Sequence, residues 1–160
     1  MQINLREAEK NDCEQLFKWA NDNLVRESSF SNNKISWEEH KKWYFNHLKK
    51  TDSWIYIASS GNGNLIGQVR FDLIKNNSVE IDISIDSRFR GFGLGAELIK
   101  VSVKQLFMKE GIKNFLAKVK SSNMASSKSF LNAGFLEQTE SLNTGNGFEC
   151  YIFNYILEDE

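Results

Sequence analysis

The sequence predicts an α/β (α+β) fold, in which a mixed, mostly antiparallel sheet carries about four helices on its faces. Two observations predict it. Strand-like segments follow one another directly in the middle of the chain, as the hairpins of an antiparallel sheet do. Further on, a strand, a long helix and another strand follow in turn, which places two strands in parallel. The chain has 160 residues, a length that suits one domain over residues 1–160.

Each element is predicted from the spacing of apolar residues and from signals at its ends. Residues 79–85 alternate between apolar and polar, which predicts a strand with one covered face. Ser36 and Glu39 have the spacing of a capping box, and Gly111 suits the end of a helix. The predicted elements, in chain order, are a strand at 3–8, one helix from Asn11-Asp12 to Val25, a helix from Ser36 to about Lys50, strands at 54–58, 65–73 and 79–85, a helix from the glycine-rich stretch at 90–95 to Gly111, a strand at 112–119, a helix from Ser122 or Asn123 to 133–134, and closing strands from 135 and over 149–157.

Composition and charge exclude several classes of protein. Hydrophobic residues make up 41% and charged residues 26%, values typical of a globular protein rather than a disordered one. A formal net charge of −1 lacks the electrostatic signature of a nucleic-acid binder. No run of about eighteen apolar residues is present and the first residues lack the order of a signal peptide, so neither a membrane partner nor export is expected. Cys13 and Cys150 are too few for a disulfide framework or a zinc site, so no metal is predicted and a cytoplasmic location is expected.

The most informative segment is the glycine-rich stretch between the strand at 79–85 and the long helix. Gly91, Gly93 and Gly95 lack a Cβ, so the backbone can approach a ligand closely. The start of the helix leaves unpaired N–H groups that carry a partial positive charge. A phosphate or pyrophosphate therefore fits this site, and Arg90 adds a charged donor.

A P-loop, a dinucleotide-binding fingerprint and a turn without a ligand are the alternatives for this segment. A P-loop would end in Gly-Lys-Ser/Thr, which this segment lacks. The dinucleotide fingerprint G-x-G-x-x-A is matched by Gly91, Gly93 and Ala96, but the preceding strand alternates polar and apolar residues and the segment at 112–120 has no acidic residue. A glycine-rich turn without a ligand is the remaining alternative.

These residues make the chain resemble the GNAT superfamily of acetyl-CoA-dependent N-acetyltransferases. The acyl-CoA signature of that family, Q/R-x-x-G-x-G/A, is matched by Arg90, Gly93 and Gly95. A second family pattern has Asn, then Ala or Ser three residues on, an aromatic residue seven on, and Gly-Phe eleven and twelve on. Here its positions are held by Asn123, Ser126, Phe130, Gly134 and Phe135. The order of predicted elements also agrees along nearly the whole chain.

The resemblance implies the GNAT fold and acetyl-CoA as the acyl donor. In that fold the fourth strand, here 79–85, splays away from the fifth, here 112–119, and the pantetheine arm enters the gap. The positions that correspond to the family's cofactor site are Ile83, Ser84 and Ile85 for the pantetheine, Arg90, Gly91, Phe92, Gly93, Leu94, Gly95 and Ala96 for the pyrophosphate, and Asn123, Ser126 and Phe130 near the thiol.

The resemblance also implies direct transfer, in which the acceptor amine attacks the thioester without an acyl-enzyme. A free amine is mostly protonated at neutral pH, so a base is useful. Glu80 on the polar face of the fourth strand is the best candidate, and Asp82 on the same face is the second. The structural alternative is a pair of cross-strand contacts, with Arg70 opposite Asp82 and Asp72 opposite Glu80. The backbone N–H near Ile85 is the expected oxyanion donor.

The proton donor for the departing thiolate is left open. Many members of the family use a tyrosine at the position that Phe130 holds here. Ser126, Ser129, a water molecule or Tyr151 could substitute. Cys150 is interpreted as a core thiol rather than a nucleophile, because no histidine accompanies it nearby.

The acceptor is predicted from shorter strings that resemble one GNAT group. They are Trp19-Ala-Asn-Asp22 with Val25-Arg26, Ser36-Trp-Glu-Glu-His40 with Trp43, and Gly67-Gln-Val-Arg-Phe-Asp72. That group is found with enzymes of nucleotide-sugar and surface-glycan synthesis, and it includes enzymes similar to those that acetylate the 4-amino group of UDP-linked amino-dideoxy sugars on the pseudaminic-acid route. The resemblance implies an acceptor site in which a uridine stacks on Phe30 or Trp37 and a diphosphate meets Arg26 or Arg70, with His40 on the same helix as Trp37. The structural alternative is that the tryptophans pack and the histidines are exposed.

Two other functions remain as alternatives. One is a protein N-terminal or small-amine acetyltransferase. The other, from a different class, is a catalytically silent acyl-CoA-binding module, for which Phe130 would be the symptom. A small-molecule amine is the expected partner, no nucleic acid is expected, and the sequence leaves a homodimer open.

Overall fold

The computed structural model describes residues 1–138, 142–144 and 148–158. Its strands and helices, in chain order, are β1 (Ile3–Glu7), α1 (Cys13–Ala20), α2 (Asn23–Ser28), α3 (Trp37–Leu48), β2 (Ser53–Ser60), β3 (Leu65–Lys75), β4 (Ser78–Ile85), α4 (Leu94–Glu110), β5 (Asn114–Lys120), α5 (Met124–Asn132), β6 (Leu136–Glu137), β7 (Leu142–Thr144) and β8 (Phe148–Ile156). Short 3₁₀ turns lie at Lys10–Asp12 and Ser87–Phe89. In this described part, no helix is long and apolar enough to cross a bilayer.

All of these strands belong to one mixed sheet. Its order is β1-β2-β3-β4-β5-β8-β6, and β7 pairs with β8. The pair β4–β5 is parallel and every other pair is antiparallel. Parallel pairing follows from the crossover through α4, as the order of elements predicts. The predicted fold class is therefore confirmed.

β4 and β5 pair over a short stretch only. Ser78, Val79 and Glu80 lie opposite Asn114, Phe115 and Leu116. Both strands continue beyond these pairs, to Ile85 and Lys120, without further pairing to each other among the described residues. The predicted splay of the fourth and fifth strands is confirmed, and it opens a gap between their carboxyl ends.

The prediction of one helix from Asn11-Asp12 to Val25 is wrong, because the chain breaks between α1 and α2. The side chain of Asp22 accepts hydrogen bonds from the N–H groups of Leu24 (3.1 Å) and Val25 (3.3 Å), which starts a new helix. The side chain of Asn21 pairs with both backbone groups of Ile35. Asn and Asp side chains compete with helical backbone hydrogen bonds in this way. The described chain thus has five α-helices rather than about four.

Two cores pack on opposite faces of the sheet. α4 and α5 cover one face, where Tyr56, Phe71, Ile81, Leu98 and Phe115 belong to the larger core. α1 and α3 cover the other face mainly over β2, around Leu16, Tyr44, Ile55 and Ile57. Successive residues of β2 therefore point into different cores, as a strand requires.

The second face continues across β3 and β4 with little helical cover, since α3 reaches it only through Trp43 on Arg70 and His47 on Asp72 among the described contacts. Ile57, Ile55 and Ser53 lie opposite Gln68, Arg70 and Asp72, which in turn lie opposite Ser84, Asp82 and Glu80. Directly opposed residues share a face. We call this polar surface, formed by Gln68, Arg70, Asp72, Glu80, Asp82 and Ser84, the open face.

Candidate active site

The edge of β4 that faces the gap carries unpaired backbone groups. The N–H of Asp86 donates to the carbonyl of Ile66 at 2.7 Å, so the pair of Gly67 and Ile85 is a non-hydrogen-bonded pair. Ile85, and Ile83 two residues earlier, consequently direct their N–H and C=O groups away from β3 and into the gap. Ser84 alternates with them and directs its backbone to β3. Of the three residues predicted to meet the pantetheine by their backbone, two offer groups to the gap.

Gly67 permits the close approach of β3 to β4 at Ser84 and Ile85. It was predicted only as part of the string from Gly67 to Asp72, without a structural role. A Cβ at Gly67 would lie 2.2 Å from the carbonyl oxygen of Ser84, a distance that no side chain tolerates. A glycine inside a strand pattern marks such close approaches of two backbones. That signal was available from the sequence.

The glycine-rich loop leaves the start of α4 open. Gly91 and Gly93 have φ values of +84° and +75°, a conformation that costs other residues energy. Gly93 is the N-cap of α4 and has no side chain that could occupy the first N–H groups of the helix. Leu94 and Ala96 are buried, so they can contribute only backbone N–H groups. Phe92 is 74% exposed beside them.

These features fit an extended amide-rich arm that carries a pyrophosphate. The unpaired edge at Ile83 and Ile85 matches an amide-bearing chain, as an exposed strand edge does in peptide recognition. The uncapped start of α4 matches phosphate oxygens. The residues present therefore fit acetyl-CoA.

Arg90 does not point freely toward a phosphate. Its Nη2 atom donates to Asp22 Oδ1 at 2.8 Å, and its Nε atom donates to the carbonyl of Ile85 at 3.0 Å. Burial alone would raise the pKa of Asp22, but the hydrogen bond and charge of Arg90, together with the N–H groups of Val25 and Leu24, outweigh it, so the pKa lies below its ordinary value. Arg90 therefore joins the start of α2 to the edge of the gap. The prediction placed only backbone groups at this edge.

The residues predicted to lie near the thiol have mixed placements. Asn123 caps α5, since its Oδ1 atom accepts from the N–H of Ser126 at 3.1 Å. Phe130 is 2% exposed and packs on Phe135 and Phe153, so the structure assigns it to the core rather than to the cofactor surface. An aromatic side chain without a hydroxyl has no reason to leave apolar neighbours.

Two serines of α5 have distinctive surroundings, and one of them, Ser129, lies beside the start of α4. A Cβ built on Gly95 would lie 2.6 Å from Ser129 Oγ, so the start of α4 and Ser129 are in close contact. The hydroxyl of Ser127 is buried and has no hydrogen-bond partner in the part of the chain that the structure describes. A buried unpaired hydroxyl is costly unless a ligand or water satisfies it. Ser127 was not among the predicted site residues, and no spacing in the sequence distinguishes it from Ser126.

The carboxylates of the open face have different surroundings. Glu80 is the last residue of β4 that pairs with β5, and its Oε2 atom lies 3.8 Å from Lys118 Nζ. Asp82 is exposed and accepts a hydrogen bond from Gln68 Nε2 at 3.3 Å. The predicted cross-strand register, with Arg70 opposite Asp82, is confirmed. Glu80 thus lies where the gap begins.

Arg70 forms its ion pair along its own strand rather than across to Asp82. Its Nε atom donates to Asp72 Oδ2 at 2.8 Å, while Asp72 Oδ1 accepts from Ser53 Oγ at 2.7 Å and lies 3.0 Å from His47 Nε2. Burial would raise the pKa of Asp72, but the hydrogen bonds from Ser53, His47 and Arg70 and the charge of Arg70 together outweigh it and lower the pKa. The guanidinium of Arg70 also packs on the ring of Trp43, 5.3 Å from its centroid.

Arg26 holds the loop at 29–33 instead of facing an acceptor. Its Nε atom donates to the carbonyl of Ala20 (2.6 Å), and its Nη1 atom donates to the carbonyls of Ser31 (3.2 Å) and Asn33 (3.3 Å). Its Nη2 atom donates to Ser29 Oγ. Burial lowers its pKa. The prediction that Arg26 meets a diphosphate is therefore not supported by its geometry.

The aromatic residues of α3 reverse the expected exposure. His40 is 3% exposed, its Nε2 atom lies 2.9 Å from the carbonyl of Cys13, and burial lowers its pKa. Trp37 is 39% exposed and meets the ring of Phe17 edge-on. Phe30 is half-buried. The structure thus removes His40 from the surface available to an acceptor, and leaves Trp37 partly accessible.

The sequence model of the acetyltransferase (GNAT) domain matches residues 2–136. The chain belongs to this acetyltransferase family. It is an acetyl-CoA-dependent N-acetyltransferase that acts on an amine.

Individual relatives of this acetyltransferase are distant. It is 26% identical over 141 residues to YwnH of Bacillus subtilis (strain 168), whose name as a phosphinothricin acetyltransferase is provisional; the match covers 84% of this chain and 85% of that protein. Its structure is similar to a spermidine N-acetyltransferase from Vibrio cholerae in complex with CoA and spermine, with a TM-score of 0.87, 20% identity, and coverage of 97% of this chain and 95% of that one.

Two further solved structures have the same fold. The aminoglycoside acetyltransferase AAC(6')-Ib in complex with ribostamycin and coenzyme A has a TM-score of 0.84 at 20% identity, and covers 98% of this chain and 94% of that one. The ribosomal-protein alpha-N-acetyltransferase RimL in complex with coenzyme A has a TM-score of 0.85 at 17% identity, with coverage of 100% and 97%. At such identities these structures support the fold and leave the acceptor of this chain open.

Proposed function

We propose that this acetyltransferase transfers acetyl directly from acetyl-CoA to the primary amine of a small molecule bound on the open face. The observation that carries the proposal is the gap between β4 and β5, whose edge directs the N–H and C=O of Ile83 and the N–H of Ile85 into the gap, while the C=O of Ile85 accepts from Arg90. This edge meets the open face at Glu80. A thioester in the gap and an amine on the open face would therefore meet at one place.

Glu80 is proposed as the base, acting directly or through a water molecule. It removes a proton from the ammonium group, and the neutral nitrogen then attacks the thioester carbonyl. The N–C bond forms, the C–S bond breaks, and the nitrogen loses its second proton to solvent. The N–H of Ile85, which faces the gap, stabilises the negative charge on the carbonyl oxygen.

The departing thiolate needs a proton or a hydrogen-bond donor. Phe130 has no hydroxyl and therefore cannot supply this proton. Its side chain is buried in the core, so the donor must come from another position. The candidates are Ser126 and Ser129, the unpaired hydroxyl of Ser127, a water molecule, and Tyr151, which is half-buried on β8. Because a thiol is far more acidic than an alkylammonium group, a hydrogen bond alone can suffice.

The 4-amino group of a UDP-linked amino-dideoxy sugar remains our proposed acceptor. The string from Gly67 to Asp72, which carries the resemblance to enzymes of that kind, forms the centre of the open face. The exposed part of Trp37 offers a surface for a base. Only one of the two predicted cations, Arg70, can meet the diphosphate, since Arg26 is engaged by the loop at 29–33.

The proposal is tested by release of free thiol from acetyl-CoA in the presence of an amine panel. The panel contains a UDP-4-amino sugar, spermidine, an aminoglycoside and a peptide with a free N-terminus. We expect the highest kcat/KM for the nucleotide sugar. A preference for peptides would make a protein N-terminal acetyltransferase the better assignment, and binding of acetyl-CoA in calorimetry without thiol release from any amine would indicate a silent module.

A further inference from the structure

We infer that Arg70 is a receptor for an oxyanion on the acceptor, so that the substrate is an amine that also carries a carboxylate or a phosphate. The inference rests on the proposed acetyl transfer, but it does not require a nucleotide. It assigns to one side chain of the open face a role in substrate choice.

The guanidinium of Arg70 is held in place by three elements. Asp72 takes its Nε–H, and Asp72 is itself fixed by Ser53 of β2 and His47 of α3. Trp43 of α3 supports the flat side of the guanidinium. A side chain held in this way loses little freedom when it binds a ligand.

The two terminal nitrogens of Arg70 remain available. Among the residues that the structure describes, Nε is the only atom of the side chain that donates a hydrogen bond. The terminal nitrogens have no such bond and are not fully buried, and the side chain is 30% exposed. The free edge of a guanidinium presents parallel N–H groups that match a carboxylate or a phosphate. The site is therefore a fixed fork on an accessible surface.

The charges around Arg70 favour an acceptor of mixed charge. The carboxylates of the open face all lie near cations: the charge of Arg70 interacts with Asp82, Asp72 and Glu80, Lys118 lies 3.8 Å from Glu80, and the charge of Arg26 interacts with Asp82. A face balanced in this way gives no strong attraction to a polycation or to a polyanion. An amine that brings its own anion can place the amine toward Glu80 and the anion on Arg70.

The spacing of the two groups suits such a molecule. Glu80 lies opposite Asp72, which is two residues from Arg70 on the same strand and face. Such diagonal neighbours are about 7–8 Å apart at the backbone, and their side chains approach more closely. A small molecule can therefore reach both groups at once.

The first test uses the wild-type enzyme and matched pairs of amines. An amino acid is compared with its amide, whose amino group is less basic, and with the corresponding alkylamine, whose amino group is more basic. The two comparisons together separate the effect of the carboxylate from that of amine basicity. Ethanolamine phosphate is compared with ethanolamine, and a UDP-4-amino sugar with the unlinked amino sugar. We expect kcat/KM to be about tenfold or more higher for the anionic member of at least one pair. The pair that responds identifies the anion as a carboxylate or a phosphate.

The second test replaces Arg70 and measures the same pairs. Arg70→Gln should raise KM for the anionic acceptor by about tenfold to a hundredfold, with KM for acetyl-CoA unchanged, and should abolish the preference within the pair. Arg70→Lys keeps the charge but loses the fork, so it should recover only part of the preference. Lys104→Gln, which removes an exposed charge from α4, is the control.

The outcomes separate the inference from the proposed function. Equal rates within every pair would overturn the inference while acetyl transfer to amines stands. A preference that survives in Arg70→Gln would also overturn it. Acetyl-CoA binding without thiol release from any amine would reject the proposed function, and the inference with it.

Discussion

Glu80 has two neighbours that bear on its proposed role as a base. Lys118 lies 3.8 Å away, and Asp72 lies directly opposite on β3. Two carboxylates in opposed positions would repel each other, but the charge of Asp72 is offset by Arg70. Glu80 therefore lies near the gap without a direct hydrogen bond to a protein group in the described chain, so its carboxylate oxygens are available to an acceptor.

Glu80→Gln should lower kcat by about a hundredfold at neutral pH, the usual effect of removing a general base. The loss should shrink at high pH, because a larger fraction of the free amine is then neutral. Thiol release measured from neutral to alkaline pH checks this expectation. Glu14→Gln, in which an exposed glutamate beside Lys18 is changed, is the control. A pH profile identical to that of the wild type would exclude Glu80 as the base.

Asp22 links the acceptor side of the molecule to the cofactor side through Arg90. Asp22→Asn should keep the cap of α2, because Asn is as good an N-cap as Asp, but it should weaken the ion pair with Arg90. We expect KM for acetyl-CoA to rise by about two- to fivefold with little change in the melting temperature. Glu38→Gln, which breaks an exposed pair with Lys41, is the matched control. An unchanged KM would show that Arg90 holds the edge of the gap without Asp22.

At the scale of elements, the start of α4 determines where the pyrophosphate can bind. The helix has 17 residues, and its first turn has no capping side chain. A helix of this length presents its full partial charge at the N-terminus, and the glycines before it keep side chains away. The same loop is held to α5 through the contact of Gly95 with Ser129. The loop, α4 and α5 thus form one unit around the site.

Gly93→Glu should abolish binding of acetyl-CoA, because it places a negative charge and a bulky side chain at the pyrophosphate. Part of any effect could come from strain, since φ at Gly93 is +75°. Gly63→Glu provides the matched control, because Gly63 has φ of +86° and open space around it in a turn far from the site. Calorimetric titration with acetyl-CoA compares the two variants. Retained affinity in Gly93→Glu, or equal loss in both, would contradict the proposed location of the pyrophosphate.

At the scale of the whole molecule, buried carboxylates tie distant parts of the chain together. Asp86 follows β4, and its Oδ2 atom accepts from the indole N–H of Trp19 in α1 at 2.9 Å. Hydrogen bonds from Arg88 and then from Trp19 lower the pKa of Asp86 to about 2. The pKa of Asp12 is also lowered, first by its hydrogen bonds with Arg6. These groups make the fold sensitive to acid.

The stability that Asp86 provides should be fully present above its unfolded pKa of 3.8 and should be lost as the pH falls toward 2. Asp86→Asn should therefore lower the free energy of unfolding at neutral pH, by at most about 2 kcal/mol, and flatten its dependence on pH between about 4 and 2. Urea denaturation at several pH values measures both quantities. Asp52→Asn, which alters an exposed carboxylate, is the control. An equally steep acid dependence in Asp86→Asn would show that other groups cause it.

Much of the fold was predictable because its signals are local. The alternation at 79–85, the cap at Ser36 and the glycine at 111 depend on neighbours in sequence, and the structure confirms all three. The break between α1 and α2 was missed because helical spacing continues across it. Asp22 in fact contributes as a cap and as a partner of Arg90, which is 68 residues away.

The candidate site was predictable where backbone geometry forms it and less so where side chains do. The glycine loop is visible as a motif, and the edge at Ile83 and Ile85 is what the resemblance to the family implies. The roles of Arg26, His40 and Arg70 depend on tertiary neighbours, namely the loop at 29–33, the carbonyl of Cys13 and the cluster around Asp72. A cation or an aromatic residue in a sequence does not indicate whether a protein group or a substrate will be its partner.

The short ladder between β4 and β5 also divides the sheet into two parts, with β1 to β4 on one side and β5 to β8 on the other. Among the described residues, three pairs of β4 and β5 join the two parts through the backbone, so helix packing must supply much of the remaining cohesion. A coenzyme bound in the gap would contact both strands and hold the two parts of the sheet together. Amide hydrogens of β4 beyond Glu80 and of β5 beyond Leu116 should then exchange slowly with deuterated solvent when the coenzyme is bound, and much faster when it leaves.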